Sequence, residues 1–505
     1  MTPLQDHRTL VAALAAALGP ATRVIETHIS TLLLAGEFAY KLRQPLALPF
    51  LDFTSLAARR HDCDEELRLN RRTAPDLYLD VRPVLGTPAA PRIGAPDEGA
   101  GAIDWLLRMR RFDDELLLDR LAARGALGAA EVDALARGVA DFHASLSASP
   151  AAWGDPEGVL RWARANFAAL GAAHELQDLR DWTEHEFERI APLLALRRAQ
   201  GRVREGHGDL HLANIVMRDG APVPFDAIEF NPALRHADTM ADAAFVFMDL
   251  WRHGLRALAW RFASAYAERG GDHEGLALLP FFAVYRALVR AQVAALRGDA
   301  AACARDVRIA REIAQSRRAR PLLLLTVGLS GAGKSTVALE LLQALGALRL
   351  RSDVERKRLA GLAAEARPTP AQTETLYSAA MTRRTYARLG SLAGTLLDAG
   401  LNVIVDAAAL RRPERDALRA LAEAHGAEFR LVECVAPEAV LRERIARRAA
   451  QGRDASDADQ AVLTLQLRIV EIPASDEAAL RLDTDADIAT VARRCAALAA
   501  RLAAQ

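Results

Sequence analysis

The stretch Gly328-Leu-Ser-Gly-Ala-Gly-Lys-Ser-Thr336 decides the fold of the C-terminal part of the chain. It has the pattern G-x-x-x-x-G-K-[S/T], follows the apolar run Leu322–Val327 and precedes a segment of helical periodicity. In that context the glycines let the backbone wrap around phosphate oxygens, and the helix N-terminus supplies oriented N–H groups. The stretch therefore predicts a phosphate-binding loop between a strand and a helix.

Each residue type in this loop has an expected role. We expect Lys334 to reach the outer phosphates of ATP and Ser335 to bind Mg²⁺. A glycine turn that only joins strand to helix is the plainer reading, but it leaves the lysine and the serine unexplained. The predicted nucleotide-binding residues are Gly328, Gly331, Gly333, Lys334, Ser335 and Thr336.

Strand and helix patterns alternate through the rest of this region. Such a rhythm predicts an α/β domain with a parallel sheet covered by helices on both faces. The expected strands are Leu322–Val327, Leu348–Ser352, Asn402–Asp406, Phe429–Val435 and Leu480–Leu482, and the main expected helices are Pro370–Asp398 and Glu414–His425.

Two acids follow neighbouring strands of that sheet. Asp353 and Asp406 stand where strands end, which is the edge at which ligands of parallel sheets collect. Phosphoryl transfer needs a metal near the phosphates and often a carboxylate beside the acceptor hydroxyl. We assign Asp353 to the acceptor and Asp406 to Mg²⁺ or its water shell. Either acid could instead be only a helix N-cap.

Further along, Arg444 and Arg448 are four residues apart and share a helix face, and Arg453 follows in a turn. These arginines could close over the phosphates. They could equally form a solvated basic face with partners such as Glu443.

Residues 321–505 resemble the small P-loop kinases related to zeta toxins, gluconate kinase and polynucleotide kinase. The resemblance implies ATP-dependent phosphorylation of a small hydroxyl-bearing substrate. By the same resemblance, Asp353 matches the aspartate after the second strand, and Arg444 and Arg448 match the lid arginines.

The region before the P-loop domain has a different plan. Short strand candidates come first, around Val24–Ile29 and the segments that follow it, and long helices dominate later. A small sheet-rich part followed by a larger helical part is an α+β arrangement. The polar, basic joint at residues 316–320 predicts a linker, with one domain at 1–315 and another at 321–505.

A second site is predicted around residues 207–229. Asp219-Gly220 is a hairpin turn signal, and pairing its flanking strands brings Asn214 opposite Phe225 and next to Asp226. The amide and the carboxylate then face one Mg²⁺, while Asp209 can accept a proton from a substrate hydroxyl.

These segments resemble the catalytic and metal-binding motifs of aminoglycoside phosphotransferases and the wider protein-kinase-like fold. The resemblance implies a bilobal domain in which Asp209 is the catalytic base, Asn214 and Asp226 are metal ligands and His207 supports the loop.

The resemblance extends to the strand lysine and its helix partner. Lys41 matches the lysine that holds the ATP phosphates, and Glu66 matches its acidic partner, with Glu65 as the alternative. Trp105–Arg111 would run into the adenine-binding hinge. The chain departs from the pattern at Thr27–Gly36, where a glycine-rich loop is expected and only one glycine occurs.

The charge and cysteine content limit the classes of binding partner and the cellular location that we expect. Sixty-five basic residues balance sixty-five acidic ones, so no global field favours nucleic acid or an anionic membrane. The four cysteines are far apart, which suits a reducing cytoplasm. No apolar run appears long enough to span a bilayer. We therefore expect a cytoplasmic protein with a small-molecule substrate; the sequence gives no oligomeric state.

Two classes of function fit these patterns. One is a bifunctional ATP-dependent phosphotransferase with a nucleotide site in each domain. The other is an ATP-dependent switch, in which one domain binds nucleotide to control the other or a partner protein.

Overall fold

The computed structural model describes residues 3–48, 51–171, 175–451 and 459–503. Its contacts divide the chain into two compact units. Unit 1 contains Met1–Leu127, Phe142–Val159 and Pro192–Val246, and unit 2 contains Gly128–Asp141, Leu160–Ala191 and Phe247–Gln505. The predicted linker at 316–320 lies inside unit 2, between a helix and a strand. A division into two separately folding domains at that point stays a prediction.

In chain order the strands are β1 (Arg23–Glu26), β2 (Ser30–Ala35), β3 (Phe38–Arg43), β4 (Ala47–Leu48), β5 (Leu51–Asp52), β6 (Tyr78–Thr87), β7 (Ala90–Ile93), β8 (Asp104–Arg110), β9 (Val203–Glu205), β10 (Ile215–Arg218), β11 (Ala221–Pro224), β12 (His236–Asp238), β13 (Leu322–Val327), β14 (Ala347–Arg351), β15 (Asn402–Asp406), β16 (Glu428–Val435) and β17 (Leu480–Asp483).

The α-helices are α1 (Pro3–Leu18), α2 (Leu56–Asn70), α3 (Leu118–Ala123), α4 (Ala129–Ser145), α5 (Pro156–Leu170), α6 (Gln177–Ala199), α7 (Pro232–Arg235), α8 (Thr239–Arg252), α9 (Arg256–Gly270), α10 (Leu279–Leu296), α11 (Ala300–Gln315), α12 (Lys334–Leu345), α13 (Ser352–Leu359), α14 (Pro370–Leu376), α15 (Ala379–Asp398), α16 (Arg412–Ala424), α17 (Glu438–Gln451), α18 (Gln460–Ile469) and α19 (Ile488–Ala503).

Unit 1 is built on a six-stranded antiparallel sheet with the order β1-β2-β3-β8-β6-β7. Successive residues of a strand point to opposite faces, so Leu106 and Leu107 of β8 enter different cores. Leu106 packs with Leu10 and Leu14 of α1, and Leu107 packs with Cys63 of α2. The alternation places α2, which carries the predicted glutamate partner, against one face of the sheet.

The predicted strand Val24–Ile29 is shorter in the structure, because a tight turn interrupts it. The backbone N–H of Thr27 donates to the carbonyl of Ser30 at 2.8 Å, and the Thr27 hydroxyl oxygen accepts from the Ser30 N–H at 3.0 Å. This closed turn between β1 and β2 occupies the place of the expected glycine-rich loop.

Unit 2 contains a five-stranded parallel sheet with the order β14-β15-β13-β16-β17. The strand before the P-loop, β13, is central and buried throughout, which explains its unbroken apolar sequence. In the sheet, β14 and β15 lie on one side of β13, and β16 and β17 lie on the other. The strand order therefore reverses at β13, and the carboxyl end of β13 is a topological switch point. The predicted α/β fold with a parallel sheet is confirmed.

The sequence placed some boundaries wrongly. The predicted helix Pro370–Asp398 is two helices, α14 and α15, because the Ser378 hydroxyl accepts from the N–H of Met381 at 3.2 Å and caps a new helix. Ser352 begins α13 instead of ending the preceding strand. The second difference moves Asp353 into the first turn of a helix.

The segment Glu274–Leu296 is long and apolar enough to cross a membrane by length and composition, contrary to the expectation from sequence. Its most apolar window is 72% buried within the protein, which is the pattern of a core helix. The segment includes α10, which packs against α11 in unit 2.

Candidate active sites

The centre of the unit 1 site is the ammonium group of Lys41 on β3. Its Nζ donates to Glu66 Oε1 at 2.8 Å and to Asp226 Oδ1 at 2.9 Å. Glu65, the alternative partner, instead binds Arg68 and Arg235. The structure therefore joins Lys41 with Glu66, and brings both to Asp226 across a long stretch of sequence.

Electrostatics keep this cluster charged. Burial alone would lower the pKa of Lys41, but Asp226 and Glu66 outweigh it and raise that pKa above its ordinary value. Burial would raise the pKa of Asp226, and Lys41 outweighs it in turn. A cationic lysine beside the ionised Asp226 carboxylate is thus the stable state at neutral pH.

The hairpin β10–β11 has the register predicted from its turn. The N–H of Phe225 donates to the Asn214 carbonyl at 2.9 Å, so Asn214 lies opposite Phe225. The Asn214 side-chain amide donates to Asp209 Oδ2 and to the Asp209 carbonyl, both at 3.0 Å. Asp209 and Asn214 are therefore brought together.

His207 connects this loop to the hairpin. Its Nε2 lies 2.9 Å from the Phe225 carbonyl, and its backbone N–H donates to Asp242 at 2.7 Å. Burial lowers the pKa of His207, which keeps the ring neutral. The neutral ring contacts the Phe225 carbonyl through Nε2 and accepts the backbone N–H of Asp209 at Nδ1, so it holds the loop against the hairpin.

The donor set around Asp226 suits a hard cation. Asp226 has φ of +61°, in the left-handed region, and its side chain is 44% exposed. The amide nitrogen of Asn214 faces Asp209, which leaves the amide oxygen as the atom that a cation could bind. Carboxylate and amide oxygens are ligands that Mg²⁺ accepts, so Asn214 and Asp226 fit the predicted metal.

A buried arginine behind Lys41 was not predicted. Arg43 donates to Glu66 Oε2 at 2.5 Å and also binds Asp62 and Glu229. Burial raises the pKa of Glu229 to about 8 and also raises the pKa of Asp62, in spite of the arginine. These carboxylates are close enough to hold a metal, but the guanidinium lies among them. The cluster is therefore a charge-balanced support for Glu66.

We expect Arg43→Lys to lower the free energy of unfolding by about 1–2 kcal/mol. Lysine keeps the charge but cannot contact several carboxylates with a rigid planar fork, so buried acceptors lose their partners. Urea unfolding followed by circular dichroism measures the change. Arg92→Lys is the control, because Arg92 pairs with Glu98 at the exposed surface of the same sheet; an equal effect of both changes would contradict the buried role.

In unit 2 the P-loop has the backbone that its glycines permit. Gly331 and Gly333 have φ of +82° and +76°, and a Cβ on Gly331 would lie 2.7 Å from the carbonyl oxygen of Leu441. Lys334 Nζ donates to the Leu329 carbonyl at 2.8 Å across the loop. Burial lowers the pKa of Lys334, and Asp406 opposes the shift. Gly328 shares the constraint, and Ser335 and Thr336 lie in the first turn of α12.

Asp406 ends β15 and is almost fully buried. Its Oδ2 makes no hydrogen bond among the described residues, although Arg351 Nε lies 3.7 Å away. A buried carboxylate oxygen of this kind beside the P-loop fits Mg²⁺ or its water shell, with Ser335 as the second predicted ligand. Asp353 is half-buried at the start of α13, and its charge acts on Lys334. Lys334, Asp353 and Asp406 thus lie together.

The two predicted lid arginines of α17, Arg444 and Arg448, differ in their surroundings. Arg444 donates to the carbonyls of Gly331 at 3.3 Å and Thr484 at 2.6 Å, so it is fixed against the P-loop backbone and is not part of a solvated face. Arg448 is half-buried, and its charge lowers the pKa of Lys334, where burial is the larger cause. Arg453 lies outside the described residues.

Other contacts of the P-loop were missed. Thr484 donates its hydroxyl to the Ala332 carbonyl at 3.0 Å, and Gln466 accepts the N–H of Ser330 at 2.8 Å. Both residues are more than a hundred positions from the loop, and neither has a local sequence signal. They fix the loop from the side of β17 and α18.

A family model described as an AAA domain matches residues 323–473, a range that includes the P-loop, Asp353, Asp406, Arg444 and Arg448. Among solved structures, a gluconokinase from Sinorhizobium meliloti 1021 is 25% identical and covers 37% of this chain and 95% of its own, with a TM-score of 0.28. A GDP complex of aminoglycoside 2'-phosphotransferase-IIIa is 13% identical and covers 62% of this chain and 99% of its own, with a TM-score of 0.39.

Longer matches come from mycobacteria. Uncharacterized proteins of Mycobacterium bovis and Mycobacterium tuberculosis are 32% identical over 457 residues, which cover 86% of this chain and 88% of theirs. Identity at this level over nearly the whole length identifies relatives. The chain belongs to the family of these mycobacterial proteins, and it joins an α+β unit built on an antiparallel sheet to a P-loop α/β domain built on a parallel sheet.

Proposed function

We propose that this chain is a bifunctional ATP-dependent phosphotransferase that acts on small hydroxyl-bearing molecules, with one ATP site in each unit. The observation that carries the proposal is the pair of ion pairs from Lys41 to Glu66 and Asp226, next to Asp209. Structural stability alone does not require a half-exposed aspartate in a left-handed conformation beside a second carboxylate.

In unit 1 the chemistry would proceed by in-line transfer. Asp209 takes the proton of the acceptor hydroxyl, the hydroxyl oxygen bonds to the γ-phosphorus, and the bond to the bridging oxygen breaks to release ADP. Lys41 holds the phosphates, and Glu66 fixes the lysine. Asn214 and Asp226 would hold Mg²⁺, which when bound neutralises charge on the phosphate oxygens.

In unit 2 the same reaction would use different groups. Lys334 holds the outer phosphates, and Ser335 and Asp406 hold the metal. Asp353 orients and deprotonates the acceptor hydroxyl, and Arg448 stabilises the charge that develops on the transferred group. Arg444 stabilises the conformation of the P-loop through its hydrogen bond to the Gly331 carbonyl.

A lysine-directed probe tests both ATP sites in the intact chain. The sequence has lysine only at Lys41, Lys334 and Lys357, and Lys357 is buried and donates to two backbone carbonyls of its own domain. An acyl phosphate of ATP should acylate Lys41 and Lys334, and excess ATP should protect both. Transfer of labelled γ-phosphate into a pool of small metabolites then identifies the acceptors. Labelling that ATP does not reduce at either lysine would refute the proposal.

The switch remains the second candidate, and one observation favours it for unit 1. The closed turn at Thr27 stands where a glycine-rich loop would cover the phosphates, so unit 1 has fewer backbone donors for nucleotide. A switch would bind ATP at this site without transferring its phosphate.

We expect Asp226→Asn to raise the Mg·ATP concentration that half-protects Lys41 by about tenfold, because a metal ligand is lost. Protection by ATP in the presence of a chelator should change little. Asp219→Asn is the control, since Asp219 lies in the exposed turn of the same hairpin. Equal protection curves for both variants would exclude Asp226 from the metal site.

The binding partner and the cellular location are also part of this proposal. The balanced charge of the chain supports a small molecule as the partner and gives no support to nucleic acid or a membrane. We also propose a cytoplasmic location, on the ground that the four cysteines are buried and form no disulfide among the described residues.

A further inference from the structure

Helix α9, which precedes the P-loop domain in the chain, carries a carboxylate that contacts that domain within unit 2. Glu268 binds Arg349 Nη2 and Arg351 Nη1, each at 3.2 Å. The two arginines are two residues apart on β14, so they share one face of the strand. All three side chains are less than one-fifth exposed. A single carboxylate thus holds two arginines.

Each arginine also reaches one predicted ligand of Mg²⁺. Arg349 Nη1 donates to the Ser335 carbonyl at 3.5 Å, and Arg351 Nε lies 3.7 Å from Asp406 Oδ2. Glu268 is therefore connected to Ser335 through Arg349 and to Asp406 through Arg351.

The position of Glu268 is closely fixed. Arg358 donates to the Glu268 backbone carbonyl at 2.6 Å, and the Ser264 hydroxyl accepts the backbone N–H of Arg349 at 3.1 Å. Arg358 also packs closely against Gly271, because a Cβ there would lie 2.8 Å from Arg358 Nε. Helix α9 is therefore tied to both β14 and α13.

The charge of Glu268 matters for Asp406. Burial would raise the pKa of Glu268, but Arg349 and Arg351 outweigh it and hold the pKa below its ordinary value. The carboxylate is therefore ionised at neutral pH and attracts Arg351. Arg351 already lies 3.7 Å from Asp406; without the opposing charge of Glu268 it would be drawn further towards Asp406, and an arginine paired with Asp406 would compete with a metal ion.

We propose that Glu268 is a positioning residue of the P-loop site, which holds Arg351 back from Asp406 and so keeps the Asp406 carboxylate available to Mg²⁺. The inference rests on the proposed function of that site. It implies that the P-loop site is completed by a residue from the helical region before it.

The test is a Mg²⁺ titration of the full chain carrying Glu268→Gln. ATP protection of Lys334 against the acyl phosphate probe is measured at increasing Mg²⁺ and read from the Lys334 peptide by mass spectrometry. We expect the half-maximal Mg²⁺ concentration to rise about tenfold, as for other residues that orient metal ligands. Protection by ATP with a chelator should be unchanged.

A second substitution separates positioning from packing. In Glu268→Gln/Arg351→Gln the competing guanidinium is absent, so the Mg²⁺ requirement should return towards that of the wild type. Asp133→Asn is the matched control: it removes an ion pair with Arg261 in the same cavity of about 300 Å³ but contacts neither β14 arginine. A double variant as impaired as the single one, or an equal shift in the control, would overturn the inference.

The outcomes also separate this inference from the proposed function. If ATP never protects Lys334 in the wild type, the P-loop assignment fails. If it does and Glu268→Gln leaves the Mg²⁺ titration unchanged, only the role of Glu268 fails. Circular dichroism checks folding; if Glu268→Gln is unfolded, Glu268→Asp takes its place, and the same shift is expected because the shorter side chain cannot reach both arginines.

Discussion

Asp209→Asn should reduce phosphoryl transfer by unit 1 about a hundredfold or more, while nucleotide affinity barely changes. The substitution keeps size and hydrogen bonding, so the contact with the Asn214 amide can persist. It removes the carboxylate that would accept the proton of the substrate hydroxyl, and a positioned general base contributes about 10²–10⁴ in rate. Because Lys41, which would hold the phosphates, is bound by Glu66 and Asp226, the phosphate grip should remain.

The measurement uses the full chain with Lys334→Ala, so that transfer by the P-loop site does not obscure the result. Label from γ-phosphate is followed into acceptors, and ATP protection of Lys41 reports binding in the same sample. Asp219→Asn, an exposed turn residue of the same unit, should change neither. A switch predicts that Asp209→Asn is silent in both assays, and a parallel loss of binding and transfer would assign Asp209 to the nucleotide instead of the acceptor.

Local geometry explains why the unit 1 site could be predicted. Asp219-Gly220 fixes the register of β10 and β11, and register alone places Asn214 opposite Phe225. The choice between Glu66 and Glu65 was left open, since it depends on the rotation of α2 against the sheet. Packing of Cys63 and Leu69 into the core settles that rotation and points Glu66 inward.

Long-range partners could not be predicted in the same way. Arg43 follows Lys41 by two residues, but nothing near it in the sequence shows that Asp62 and Glu229 will converge on it. Glu268 is separated from β14 by about eighty residues, which include the helices α10, α11 and α12 and the strand β13. Such contacts are set by how helices pack on sheets, and single-sequence periodicity gives the face of each element but not its neighbour.

The P-loop fold, in contrast, is determined mostly by residues that are close together in the sequence. Its strand, glycines and helix are consecutive, so the loop and the parallel sheet follow from sequence spacing. The interruption at Ser378 also has a local signal, since serine before a helical segment is a common N-cap. The arginines of α17 were ambiguous because charge at helical spacing fits both a lid and a solvated face; only the contacts of Arg444 separate the two.

Lys334→Ala should weaken ATP binding at the P-loop by about a hundredfold or more. Lys334 is half-buried near Asp406, where charge interactions are stronger than in water, and removing one partner of a desolvated charge pair costs about 2–5 kcal/mol. The first site should be unaffected, because its own lysine is held by Glu66 and Asp226 in unit 1. Calorimetric titration with Mg·ATP should therefore lose one binding event and keep the other.

Probe labelling supplies an independent control for this result. In Lys334→Ala the probe should still acylate Lys41, and ATP should protect Lys41 at the concentration that half-protects it in the wild type. Lys334→Arg distinguishes charge from geometry. Arginine retains the positive charge, but its longer planar guanidinium cannot take the position in which Lys334 Nζ contacts the Leu329 carbonyl. The ATP affinity of this variant should therefore recover only in part. Unchanged affinity and unchanged transfer in Lys334→Ala would exclude the P-loop as a nucleotide site. A lysine that contributes nothing to phosphate binding would leave the loop only the role of a turn between strand and helix.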